Sequence, residues 1–229
     1  VFLLLGLFTW FAPLPEIKAK GEEAVSQESS EIMEFVSTKT NVFQFPHLLL
    51  GVVTLFMFIG LDTLTLVSPV DFALSLGLEH PEVYTMHTVI GTVSGCILSI
   101  ILIPKVISQT LALKWGTTLG TAVSLLIVLL PPYIAIHLVA VVGFTISIVW
   151  GAVWPLAISH LGKFTKAGSS LLVTAIVGGA VFPLLFGWMK DVFGDIQQAY
   201  WLFFPSLLFM MFYAFKGHTI GLKRILKEV

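Results

Sequence analysis

The chain has 229 residues, of which 57% are hydrophobic and 11% charged, and its mean hydropathy is +0.98. Soluble domains carry about 25% charged residues, so this composition excludes an ordinary soluble protein and points to one embedded in a bilayer. A net charge of -1 gives no basic field for nucleic acid, and the single cysteine, Cys96, supports neither a disulfide nor a cysteine-based metal site; inside an apolar run it reads as a small packing residue.

Residues 1–12 are apolar but open the chain abruptly, without an initiator Met or the basic flank of a signal peptide. They are expected to be the end of an earlier span. Residues 13–45 change character: Glu22, Glu23, Glu28, Glu31 and Glu34, with Ser26, Ser29 and Ser30, cannot cross a membrane. This linker is either a solvated tether or carries an amphipathic surface helix with Ile32, Phe35 and Val36 on one face. Six apolar runs follow, at 46–68, 83–103, 115–130, 134–159, 170–189 and 199–215. A helix of about 17 to 25 apolar residues crosses roughly 30 Å of hydrocarbon, so 46–217 is predicted to be a six-helix transmembrane domain, with 218–229 as a tail.

The basic residues orient these spans. Lys18, Lys20 and Lys39 precede the first full run, Lys105 and Lys114 separate the second from the third, Lys163 and Lys166 the fourth from the fifth, and Lys216, Lys223, Arg224 and Lys227 follow the sixth. Only Lys190 falls on the other side, so 11 of the 12 share one face. Lysine and arginine concentrate in cytoplasmic loops, which places the linker and the C-terminus in the cytoplasm.

Six spans divide into two triplets, and the first run of each meets a proline late, at Pro69 and Pro155. Secondary transporters are built from inverted repeats whose discontinuous helices meet at a midplane site, so these prolines, with Gly178 and Gly179 ahead of Pro183, are candidate helix breaks and gating points. A packing kink is the alternative, because neighbours in a membrane bundle satisfy the carbonyls a proline frees. Two GxxxG spacings, at Gly91 and Gly95 and at Gly116 and Gly120, predict close helix approach.

Asp62 is the one carboxylate inside these predicted spans, roughly 24 Å along a helix counted from Pro46. Placing an ionisable group there costs at least about 2.5 to 3.5 kcal/mol, so it normally faces a bundle interior or a wet cavity. Three roles fit: hydrogen-bonding a polar substrate, carrying a proton, or pinning a neighbouring helix. Thr63 and Thr65 flank it and either assist or bond their own backbone. In the fourth run, Trp150 and Trp154 are four apart and share a helix face; an indole suits the C–H face of a sugar ring as well as a helix contact. His47, His80, His160 and His218 lie at span ends or in loops, while His87 and His137 lie near outer span ends. No histidine pair has metal-ligand spacing, and no nucleophile–base set or phosphate-binding loop is present. The sequence predicts no metal, no cofactor and no enzyme.

The stretch 154–194, "WPLAISHLGKFTKAGSSLLVTAIVGGAVFPLLFGWMKDVFG", closely resembles the tenth and eleventh helices of the fucose:proton symporter family of the major facilitator superfamily. "PLPEI" at 13–17 looks like the segment after that family's sixth helix, and "FMFIGLD" like its seventh-helix pattern of aromatics, glycine and an acid. The glucose/galactose branch is the most similar. The resemblance implies the C-terminal half of a proton-coupled hexose symporter in a bacterial inner membrane, an all-α six-helix bundle of two inverted three-helix repeats following the end of helix six. It also implies alternating access with an N-terminal half that carries the main proton-coupling acids. On it, Asp62 falls where the branch has Glu, and Trp154 at an aromatic lining the sugar cavity. The chain departs from the branch in having Leu66, Val67 and Ser68 for a Gly-Asp-Thr, and Trp150 for an Asn. Two other readings stand beside it: a major facilitator transporter of a less polar solute, and a non-transporting membrane sensor or scaffold.

Overall fold

The computed structural model describes residues 36–103 and 106–222. The end of an earlier span at 1–12, the surface helix carrying Ile32 and Phe35, and the tail beyond residue 222 lie outside the described residues. Within them the secondary structure is helical, and six helices are long and apolar enough to cross a membrane: α1 Pro46–Ser75, α2 Glu82–Leu102, α3 Gln109–Leu129, α4 Pro132–Ile158, α5 Gly162–Phe193 and α6 Ile196–Phe215. The protein is a multi-pass membrane protein.

Local chemistry sets several boundaries. Proline opens α1 and α4, where its missing N–H would be unpaired anyway and its fixed φ suits a first turn. Ser108 caps α3 by accepting from Leu111 N–H at 3.2 Å, which starts that helix six residues before the predicted Trp115. Gly194 ends α5 in the left-handed region at φ 65, and Asp195 then caps α6 by accepting from Gln197 N–H at 2.9 Å. The Gln197 amide nitrogen donates to the carbonyls of Ile127 and Leu130, closing the open end of α3 from α6.

The prolines do not break their helices, contrary to the sequence expectation. Pro69 lies inside α1, which continues to Ser75, and Pro155 lies inside α4, which continues to Ile158. A proline removes only its own bond to the carbonyl four residues back, whereas ending a helix in hydrocarbon would expose many backbone groups. The irregularity falls elsewhere: α5 tightens into a 3₁₀ turn at Ala175–Val177, directly before Gly178 and Gly179. The longer α1 also makes Asp71 helical, so Asp62 is the carboxylate remote from a helix end rather than the only one in a span.

Successive helices alternate in direction, so α1 and α4 start at opposite ends of the bundle. Described lysines gather at the end where α1 begins, called here the basic end; Lys190 alone sits at the other, 3.3 Å from Asp71. Glycines allow the closest approaches. A Cβ at Gly91 or Gly95 of α2 would meet the carbonyls of Ala140 and Phe144 of α4, and one at Gly116 or Gly120 of α3 would meet Val149 and Leu207. Both GxxxG stretches therefore pack helices, as their spacing predicts. Several buried hydroxyls are satisfied inside their own helix: Thr54, Thr117, Thr121, Ser147 and Ser206 each donate to the carbonyl one turn back.

Candidate functional site

The site is built where α1 and α4 run antiparallel. Near the basic end the helices touch at Gly51 and Ala157, whose methyl would meet a Cβ on the glycine. Two turns further along, the Phe58 ring stacks on the Trp150 indole, 5.2 Å between centroids and 27° between planes. Phe58 is 4% exposed and Trp150 46%, so the phenyl ring backs one indole face and leaves much of the tryptophan open. Trp154 lies one turn back toward the basic end, between Trp150 and Ala157, and is partly buried against the core.

Asp62 lies one turn beyond Phe58 on the same face of α1, and it is partly exposed. Among the described residues none donates a hydrogen bond to its carboxylate or forms an ion pair with it. The neighbouring hydroxyls are otherwise engaged: Thr63 donates to Ile59 O at 2.9 Å and Thr65 to Asp62 O at 2.7 Å. Thr63 also faces α5, where a Cβ on Gly179 would meet its hydroxyl oxygen. The structure thus brings Asp62, Trp150 and Trp154 to one helix pair and turns Thr63 toward α5. A carboxylate with open acceptor capacity, one helical turn from a residue stacked on a half-exposed indole, can accept hydroxyl groups while the ring covers an apolar face.

Phe58 is the member sequence reasoning missed. Its only signal was the four-residue spacing to Asp62 within an aromatic-rich run. Gly178 and Gly179 seat α5 on α1: a Cβ on Gly178 would meet the Phe56 carbonyl, and one on Gly60 the Phe182 ring. Two cavities lie away from these residues. An apolar crevice of about 210 Å³ sits among Ser99, Trp115, Leu119 and Ile148, and a polar one lies among Ser75, Lys190, Asp191 and Asp195. Another pairing not legible in the sequence is His87 with His137, whose ring centroids are 5.8 Å apart with Tyr84 against both.

No protein-family profile matches the chain. A Helicobacter pylori protein provisionally named a glucose/galactose transporter is 24% identical over 223 residues, covering 94% of this chain and 52% of its own length. A glucose/galactose transporter of Brucella abortus is 27% identical over 186 residues, covering 77% and 44%. The L-fucose-proton symporter of Escherichia coli is 35% identical over 69 residues, 30% of this chain and 15% of that protein. The chain spans about half the length of the curated relatives it matches most fully. Among solved structures, the major facilitator superfamily transporter FucP in its outward conformation superposes with a TM-score of 0.74 at 19% identity, over 93% of this chain and 51% of FucP. The chain is thus a sequence relative of the glucose/galactose and fucose–proton transporters and carries the six-helix fold of half of a major facilitator superfamily transporter.

Proposed function

We propose that the chain is the C-terminal half of a proton-coupled hexose symporter that works by alternating access in a bacterial inner membrane, its basic end in the cytoplasm. The observation that carries this reading is the Asp62 carboxylate, unpartnered among the described residues and one helical turn from the Phe58–Trp150 stack, in a chain related to glucose/galactose transporters. The carboxylate accepts sugar hydroxyls, and the indoles cover the C–H face of the ring. An N-terminal half closes the cavity from the other side and supplies the main proton-coupling acids. Exposed apolar side chains on α2 and α5, such as Ile90, Val93, Ile97, Ile176 and Leu184, suit such a covering partner or lipid. The bulk of Trp150 favours a second reading, a less polar solute in a narrower cavity.

Uptake of radiolabelled glucose, galactose and fucose by vesicles holding the intact transporter tests this, with wild type compared with Asp62→Asn and with or without an imposed pH gradient. Weakened affinity with gradient dependence intact is expected. Lost accumulation with retained exchange would move Asp62 into the proton route. Unchanged uptake in both assays would remove it from the site, and no uptake of any hexose by wild type would overturn the sugar reading.

A further inference from the structure

At the basic end, three imidazoles arrive from distant parts of the chain: His47 from the first turn of α1, His160 from the connection between α4 and α5, and His218 from the turn after α6. His47 is 1% exposed, and its Nε2 lies 3.0 Å from the carbonyl oxygen of Ser159, the residue that ends α4. A carbonyl only accepts, so the fitting neutral tautomer carries its proton on Nε2 and leaves Nδ1 bare. That Nδ1 is buried without a hydrogen-bond partner, as are Nδ1 of His160 and the Tyr213 hydroxyl, which faces Gly51. His218 donates from Nδ1 to the Tyr213 carbonyl at 3.1 Å. Charge on His160 or His218 acts directly on His47, and burial holds the His160 imidazole below its usual range.

We propose that this cluster is a proton-binding latch, which ties the basic ends of α1 and α4 together while His47 is neutral and releases them when His47 takes up a proton. A proton on Nδ1 would create a buried N–H with no acceptor among the described residues and a cation in reach of two further imidazoles. The charged residues of the adjoining described segments, Lys39, Lys114, Lys163, Lys166 and Lys216, are all cations, and no described carboxylate stands at this end. Once released into water, His47 titrates at about 6.5. By linkage, an imidazole that binds a proton only in the open form raises the open-to-closed ratio about 11-fold at pH 5.5 relative to high pH. Release frees the ends of the two helices that carry Phe58 and Trp150, roughly 16 Å along α1. The latch stands whichever solute is carried.

Distances between spin labels at Gln44→Cys and Lys163→Cys, both exposed positions, test the latch in the reconstituted intact transporter with Cys96→Ser and its other cysteines removed. Between pH 7.5 and pH 5.5 the population with separated labels is expected to rise about tenfold. His47→Gln, whose side-chain N–H still reaches a carbonyl but does not titrate, is expected to stay closed at both. Distances that ignore pH in wild type, or a pH response that survives in His47→Gln, would overturn the proposal. Should that variant not fold, amide protection of the first turn of α1 in the wild-type protein, corrected for intrinsic exchange, decides the matter: it falls below pH 6.5 if the latch exists and is flat if it does not.

Discussion

The Tyr200 hydroxyl on α6 lies 2.7 Å from Ser68 Oγ on α1, and both residues are buried. The Ser68 proton is already engaged with Leu64 O at 2.6 Å, so Tyr200 donates and Ser68 accepts. The two possible truncations therefore differ. Tyr200→Phe removes a donor and leaves Ser68 bonded to its own helix, at about 0.5 to 1 kcal/mol; Ser68→Ala strands a buried O–H, at about 1 to 3 kcal/mol. Thermal unfolding in detergent should rank Ser68→Ala as the less stable, and the reverse order would reassign the donor.

The Phe58–Trp150 stack makes a ring at position 150 more important than its polarity. Trp150→Phe is expected to leave solute affinity within about threefold, whereas Trp150→Ala weakens it about tenfold, the equivalent of about 1.4 kcal/mol. Concentration dependence of uptake or exchange in vesicles reads both. Equal effects from the two variants would mean that the indole N–H, not the stacked surface, is recognised.

Two glycines of the second half of α5 differ in what surrounds them. A Cβ at Gly178 would run into the Phe56 carbonyl, while Gly187 has nothing within 4 Å. Gly178→Ala should destabilise the protein by about 1 to 3 kcal/mol through forced separation of α5 from α1. Gly187→Ala should be neutral or stabilising by about 0.5 to 1 kcal/mol, since alanine is the better helix former. Melting temperatures of the two variants should move in opposite directions or differ by several degrees.

His160 lies between the membrane spans, and burial depresses its proton affinity in the folded protein. A depressed histidine contributes stability that is fully present above its unfolded value of about 6.5 and is lost as pH falls from there through the folded value. Its backbone is left-handed at φ 58, a region asparagine tolerates. His160→Asn should therefore fold and should flatten the fall in stability below pH 6.5, measured as denaturation midpoint against pH. An unchanged acid limb would assign the acid sensitivity elsewhere.

The six helices were legible because long apolar runs in a membrane leave few alternatives, and the GxxxG stretches because small residues at that spacing have one common use. Helix ends were harder. The first run reads as stopping before Pro69, and Pro155 as a candidate break within the fourth, yet the demand that backbone groups stay paired in hydrocarbon keeps both helices continuous past them, and a serine cap at Ser108 moves the start of α3 outward. In the site, Asp62 and the tryptophan pair stood out as rare residue types in their surroundings. Phe58 did not, since one phenylalanine in an aromatic-rich run carries no pattern. The contact of His47 with Ser159, 112 residues apart, depends on how helix ends meet in space, which periodicity does not record.

The hydroxyls that turn back onto their own helices have a wider consequence. Serine and threonine give these spans a polar look on paper, but Thr54, Thr63, Thr117, Thr121 and Ser147 have their protons engaged before any solute arrives. These spans are quieter than their composition, because the engaged protons are not free to bond a group outside the helix. On the proposed symporter reading, discrimination falls on the groups left vocal, Asp62 foremost, and a single substitution there should change the solutes taken up more than any rearrangement of the serines and threonines around it.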